Sequence, residues 1–152
     1  MSFDHLHLDR QLCHRLYVLS NATTRVYRPL LDKLGITYPQ YIVMMALWQH
    51  NDENQTQNLD IKQLKEKTSI DAGALSLILK KLQDKELVQI TPSQQDKRVK
   101  FVSLSTKGNS LKQQASDIPQ ALRCKIPSLN DSELIQFREL MDKIMLDLNR
   151  PS

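Results

Sequence analysis

The stretch that most limits how this chain can fold runs from Leu59 to Ser105, where a helical period gives way to an alternating one. "LDIKQLKEKTSIDAGALSLILKKLQDKELV" reads as two short helices. Asp60 is placed to cap the first, with Ile61 and Leu64 on its core side. "TSID" supplies the turn and Asp71 caps the second helix. Along it Leu75, Ile78, Leu79 and Leu82 recur at i, i+3, i+4 and i+7, one apolar face. "LVQI" and "VKFVSLS" are then strand-like, with the polar "PSQQDKR" between them as a hairpin tip. Only three glycines occur in 152 residues, which argues against a turn-rich sandwich or barrel.

A helix, a tight turn, a second helix and a β-hairpin make a winged helix-turn-helix, whose second helix can enter a DNA major groove while the hairpin reaches an adjacent one. On that second helix Asp71, Ala72, Gly73, Ser76 and Lys80 fall away from the Leu75/Leu79 face. Leu77 also lies off that face, and packing elsewhere is the preferred reading over contact with a thymine methyl. At the hairpin tip Asp96, Lys97 and Arg98 are held out into solvent, and a narrow minor groove attracts a projecting guanidinium. The net charge of +4 is modest. Residues 61–100, however, carry nine Lys and Arg against five Asp and Glu, which concentrates the basic character in this segment.

Helices flank the module. Leu8, Leu12, Leu16, Leu19, Val26, Leu30 and Leu34 predict one long helix ending at Gly35, a suitable residue just past a helix end. "ITYPQYIVMMALWQH" predicts a second helix with Pro39 in its first turn and its end near His50. "NDENQTQN" (51–58) reads as a polar loop. "TKGNSLKQQASDIPQALRCKI" resumes helical spacing. A closing helix with Ser128 or Asn130 as cap carries an apolar stripe of Leu134, Phe137, Leu140, Met141, Ile144 and Leu148. "YIVMMALW" (41–48) is too short to span a bilayer. The charged, histidine-containing start lacks the apolar core of a signal peptide, so a cytoplasmic protein without membrane partners is expected. The histidines show no metal-ligand spacing, and neither metal nor cofactor is expected.

Two cysteines, Cys13 and Cys124, are either buried filler or redox-active thiols. All four tyrosines lie in the first 41 residues. On a continuous helix Tyr17 is one turn from Cys13 and about 40° around the axis, so the two share a face. Tyr27 has a similar phase but lies roughly 21 Å along the axis, so it can meet only the thiol of another chain. Antiparallel pairing of two first helices about Ser20 would bring Cys13 opposite a partner's Tyr27. Phenol donors near a sulfur would favour the thiolate, the form that attacks peroxides.

These residues also carry a resemblance. "SIDAGALSLILKKLQDKELV" followed by "DKRVKFVSLSTKG" resembles the DNA-binding lobe of the MarR family of bacterial repressors: D-x-G-x-L opening the recognition helix, K-x-L-x-x-x-x-L-V into the wing, D-x-R at the tip, and L-[ST]-x-x-G at the exit. "LDRQLCHRLY" with "VYRPLLDKLGITYPQYIVMMALW" is similar to the OhrR-type organic-hydroperoxide sensors within it, through Q-L-C-x-x-L-Y and L-[GT]-x-T-Y-P-Q-Y. The resemblance implies a mainly α fold with a small β-hairpin wing, built as a single domain over 1–152. Residues 1–50 and 106–152 would be dimerisation helices, and 57–105 a winged helix-turn-helix lobe. It implies a homodimer on a double-stranded, pseudo-palindromic operator. Residues 71–81, Lys81 included, would make groove and phosphate contacts, Arg98 would enter the minor groove, and Asp96 would steady the wing.

From the subgroup, Cys13 would be the peroxide-reactive thiol, enclosed by Tyr17, Tyr27 and Tyr38. Cys124 would resolve its sulfenic acid as a disulfide with the partner subunit, and "CKIP" would be irregular enough to move on oxidation. The alternative for Cys124 is inert filler, with a small thiol capping Cys13. Two features depart from the common pattern, the long "NDENQTQN" loop and Glu86 where a glycine or small residue is usual. Two other functions compete: a repressor responsive to a small aromatic ligand, with Cys13 passive, and a thiol peroxidase. The complete DNA-reading module speaks against an enzyme.

Overall fold

The structure is a computed structural model and describes residues 1–53 and 57–151. Seven α-helices and three short strands follow one another among these residues: α1 Leu12–Asp32, α2 Tyr38–Glu53, β1 Leu59–Asp60, α3 Ile61–Thr68, α4 Ala72–Asp84, β2 Val88–Pro92, β3 Lys100–Leu104, α5 Thr106–Ala115, α6 Ile118–Arg123 and α7 Asp131–Leu148. They fall into two compact units, Met1–Ser116 and Asp117–Ser152.

In the first unit α2 is the central element. It buries Gln40, Tyr41, Val43, Met44, Ala46, Leu47 and Trp48, residues from every side of the helix, as a helix enclosed by neighbours must. It packs against α1, α3, α4, α5 and β3. Met45 lies on its exposed side. Leu64, Leu75, Leu79 and Leu82 complete the core from α3 and α4, each fully buried leucine contributing about 1.5–3 kcal/mol. The predicted caps of α3 and α4 are present. Asp60 closes a capping box with Gln63, and Asp71 accepts from the Ala74 amide at 2.9 Å.

Four features differ from the sequence reading, two of them helix boundaries. The first helix does not start at Leu8. Residues Asp4–Leu6 and Leu8–Arg10 are single 3-10 turns, and α1 begins after Gln11. Gln11 has extended backbone and its side chain turns back to the carbonyls of His5 and His7, at 2.7 and 2.9 Å. Cys13 consequently lies in the first turn of α1. At the other end Gly35 adopts φ +66, and the Ile36 and Gly35 amides return to Leu31 O and Asp32 O, the closure expected of a glycine just past a helix.

The second difference is the end of α2, which continues to Glu53 instead of stopping near His50. Lys112 of α5 holds Asp52 at 2.6 Å and Lys67 of α3 reaches Glu53 at 3.8 Å, partners that a local reading cannot see. Of the predicted 51–58 loop, residues 54–56 lie outside the described residues. Third, the hairpin is joined by β1, which pairs antiparallel with β3 through Leu59↔Val102 and Asp60↔Phe101 to give the order β1-β3-β2. A two-residue strand leaves no period to read. Fourth, Leu77 is not packed into the core. It is 63 % exposed, because α4 buries only its Leu75/Leu79/Leu82 face.

The second unit is short. Of the two candidates, Asn130 is the cap of α7, in a capping box with Glu133. Along α7 Leu134, Met141 and Ile144 are half-buried while Phe137, Leu140 and Leu148 are exposed, and no residue of the helix is buried.

Candidate DNA-reading face and thiol site

The turn between α3 and α4 is tight because Ser69 takes a left-handed conformation, φ 55, while its amide still bonds Lys65 O. It sets α4 with Asp71, Ala72, Gly73, Ser76, Lys80 and Lys81 all exposed, on the side away from the buried leucines. A groove of about 460 Å³ runs beside them, lined in part by Ile61, Ser76, Lys80, Pro92 and Lys100.

The wing is ordered to its tip. β2 and β3 pair from Val88↔Leu104 to Pro92↔Lys100. Beyond them the Ser93 amide bonds Val99 O at 2.8 Å, and Ser93 Oγ accepts from the amides of Gln95 and Asp96. Asp96 receives Arg98 three times: from its backbone amide at 3.1 Å, from Nε at 3.2 Å and from Nη2 at 3.3 Å. The Arg98 side-chain bonds, then its amide, hold the Asp96 carboxyl below the usual carboxylate range. The Arg98 side chain is 92 % exposed, so the fork is aimed by Asp96 yet remains open to a ligand. Lys97 beside it is exposed.

Glu86 gives the backbone solution that its departure from glycine demands. Its φ is +61, its amide bonds Gln83 O and the following Leu87 amide bonds Leu82 O, so a non-glycine residue occupies the left-handed position that ends α4. Ser105 Oγ donates to Glu86 O at 2.6 Å and Lys107 Nζ to Lys85 O at 2.9 Å. The start of α5 thereby fastens the end of α4.

Cys13 is a free, exposed thiol. As the second residue of α1 it sits at the positive end of the helix dipole, and the first turn contains no acidic residue. The tyrosines divide. Tyr17 is 66 % exposed on the same helix. Tyr27 instead stacks on Tyr38, ring centroids 4.5 Å apart, with Tyr41 tilted against it at 5.8 Å. Burial, reinforced by Tyr38 and Tyr41, pushes the Tyr27 phenol up to about 12, so its hydroxyl stays protonated and able to donate. Burial also raises Tyr38 and Tyr41.

The Thr37-Tyr-Pro-Gln40 segment explains part of the sequence pattern around Tyr38. Thr37 and Gln40 form a reciprocal box at the start of α2, Gln40 Nα to Thr37 Oγ1 at 3.4 Å and Thr37 Nα to Gln40 Oε1 at 3.2 Å. The T-x-x-Q spacing is legible as a capping box, though the sequence reading passed over it. Lys85 was also missed. Its Nζ donates to Gly35 O at 2.6 Å and to Gln40 Oε1 at 2.8 Å.

In the second unit Cys124 is free and exposed at the C-terminal end of α6, and Gln120 Nε2 approaches its Sγ at 3.8 Å. The chain after it is less loose than expected. Arg123 bonds Ile126 O at 2.7 Å, Leu129 O at 2.8 Å and Asp131 at 3.0 Å, stitching "CKIPSL" to the start of α7.

Comparison with known proteins places this arrangement. A model of the family described as transcriptional regulator SarA/Rot matches residues 25–115. The organic hydroperoxide resistance transcriptional regulator of Bacillus subtilis is 41 % identical over 117 residues, 77 % of this chain and 76 % of that one. Among solved structures, a mutant MarR from E. coli complexed with operator DNA superposes with a TM-score of 0.76 at 25 % identity, covering 88 % of this chain and 92 % of the other. The chain belongs to the MarR family of winged-helix transcriptional regulators. Reduced AbfR bound to DNA is a further MarR-like neighbour (TM-score 0.74, 26 % identity, 98 % and 100 % covered), and AbfR is also known bound to DNA in an overoxidised form. Within the MarR fold, α3 and α4 are the helix-turn-helix and β2–β3 the wing. The family consists of regulators, not enzymes.

Proposed function

We propose that this MarR-family chain is a cytoplasmic, homodimeric, peroxide-responsive repressor that leaves its operator when Cys13 is oxidised. The observation that carries the reading is the exposed Cys13 thiol at the start of α1 in the same chain as a complete DNA-reading face. The likeness to an organic hydroperoxide resistance regulator points the same way. In the reduced state residues 71–81 and the wing residues Asp96, Lys97 and Arg98 engage each half of a pseudo-palindromic site. Lysines neutralise phosphates, and Arg98 reads the minor groove.

An organic hydroperoxide is attacked by the Cys13 thiolate at its terminal oxygen. The O–O bond breaks, an S–O bond forms, the alcohol leaves, and sulfur is oxidised by two electrons to the sulfenic acid. The Cys124 thiol of the partner then displaces hydroxide, which leaves as water, to form a disulfide. Dimerisation is supported by uncovered apolar side chains on two elements. Leu12, Val18 and Leu19 lie on α1, and Phe137, Leu140, Met145 and Leu148 on α7. A closed two-fold assembly would cover such surface, and pairing of two α1 helices about Ser20 would set a partner's Tyr27 donor against Cys13.

A second reading has one observation in its favour. A cavity of about 600 Å³ between α1 and the start of α2 is lined by Asn21, Arg25, Arg28 and Tyr38 among others, a fit for a small aromatic anion. Operator binding by wild type and Cys13→Ser, with and without an alkyl hydroperoxide, separates the two. Loss of binding in wild type but not in the variant is expected. Release of the variant by peroxide would sink the redox reading. Nonreducing electrophoresis of Cys13→Ser and Cys124→Ser assigns the resolving thiol.

A further inference from the structure

One charged side chain ties the end of the recognition helix to the α1–α2 connection that precedes Tyr38, and nothing in the DNA contacts or the thiol chemistry uses it. Lys85 is the last residue capping α4. Its ammonium crosses to the α1–α2 connection, where it meets Gly35 O at 2.6 Å and Gln40 Oε1 at 2.8 Å. Gln40 is only 2 % exposed, and the same Oε1 closes the box that starts α2 at Tyr38. The Tyr38 ring in turn stacks on Tyr27. At the other end of Lys85, its carbonyl takes Lys107 Nζ, and the next residue is the left-handed Glu86 that turns the chain into the wing. A path therefore runs from the stacked Tyr27 and Tyr38 rings, through the chain to Thr37, and on by hydrogen bonds to Gln40, Lys85 and the end of α4.

We propose that Lys85 is a positioning residue that couples the tyrosine cluster to the recognition helix, so that a displacement of the cluster is passed to α4 as a displacement of its C-terminal end. The path is suited to this because its middle is short of slack. Gln40 is packed, its acceptor is shared by two donors, and a charged donor to a buried amide oxygen makes a stronger bond than a neutral one. Burial, with the like charge of Lys81 adding, lowers the affinity of the Lys85 amine for its proton, so the two acceptor bonds hold the ammonium at a partly desolvated position. This role rests on the proposed redox function and deepens it: Cys13 oxidation needs some route to α4, and spatial intermediacy alone does not establish one.

The test compares operator affinity before and after treatment with cumene hydroperoxide for full-length wild type, Lys85→Met and Lys85→Arg. The oxidised fraction of Cys13 is fixed by mass spectrometry. The readout is the ratio of reduced to oxidised affinity, which a merely structural role would leave unchanged because it weakens both states alike. Couplings of this kind run to about 5–150-fold. Lys85→Met is expected to bring the ratio down by about tenfold or to unity, and Lys85→Arg, which keeps charge and donors, to restore it. An undiminished ratio in Lys85→Met overturns the coupling role while leaving the redox function standing. No release in wild type overturns both. If Lys85→Met fails to fold, Lys85→Gln, which keeps an amide donor without the charge, is read in the same way.

Discussion

Gly108 offers the sharpest test of how the DNA-binding lobe is held together. A Cβ built on Gly108 would lie 2.0 Å from Leu87 O, 3.0 Å from Leu87 C and 3.3 Å from Leu104 Cδ2. The first two atoms are backbone, whereas comfortable contact between heavy atoms needs roughly 3.5 Å or more. In Gly108→Ala, α5 must therefore retreat by more than about 1 Å from the strand entry. That retreat strains three bonds at once: Trp48 Nε1 to Gly108 O at 3.0 Å, the Ser105 amide to Leu87 O at 3.1 Å, and the Gly108 amide to Ser105 Oγ at 2.9 Å. Overpacking costs about 1–3 kcal/mol, and a buried indole N–H left without an acceptor about 1–3 kcal/mol more. The better helix propensity of alanine returns about 1 kcal/mol. The net expectation is a loss of about 1–5 kcal/mol. Urea unfolding at fixed protein concentration should show a lower midpoint with an unchanged slope. Gly73→Ala is the internal control. Its Cβ meets only Asp71 Oδ1, at 3.4 Å, so it should be neutral or stabilising by up to about 1 kcal/mol. Equal midpoints for the two variants would refute the close-approach argument.

Glu86→Gly should stabilise the protein by about 0.5–1 kcal/mol, because the left-handed backbone there is strained for a side-chain-bearing residue and the gain exceeds the added freedom of the unfolded chain. A thermal midpoint that falls would show the Glu86 side chain itself to be needed. Arg98→Ala should weaken operator binding by about 1–3 kcal/mol, with Asp96→Ala intermediate because it frees the fork without removing it; unchanged binding in fluorescence anisotropy would remove the wing from recognition. Tyr27 has a raised folded-state pKa, so its contribution to stability is intact below its unfolded value near 10 and is lost as pH rises from there toward about 12. Stability measured across that window should decline less steeply in Tyr27→Phe than in wild type.

Much of the DNA-binding lobe was legible because its determinants are local. Asp60 and Asp71 cap the helices that follow them, Leu75/Leu79/Leu82 mark the buried face of α4, and D-x-R at the wing tip becomes a three-bond clasp within three residues. Even the departure at Glu86 was visible, though its solution was not. The thiol site was legible in kind but not in placement. Helix phase put Tyr17 on the Cys13 face, but the period of leucines ran through Leu8 and hid the break at Gln11. That break depends on a glutamine side chain returning to two carbonyls. The restraint of the chain after Cys124 by Arg123 likewise follows from no period or motif.

By itself the sequence determined the family, the helix-turn-helix, the wing and the identity of the thiols, since capping, apolar period and turn chemistry act over a few residues. Tertiary structure decided which distant groups meet. It put Tyr27, Tyr38 and Tyr41 in one cluster, pressed α5 onto Leu87 so closely that only glycine fits at 108, extended α2 through ion pairs from α3 and α5, and sent Lys85 across fifty residues to Gly35. Such contacts join residues far apart in the chain, and their energies arise only once the core has brought the partners together.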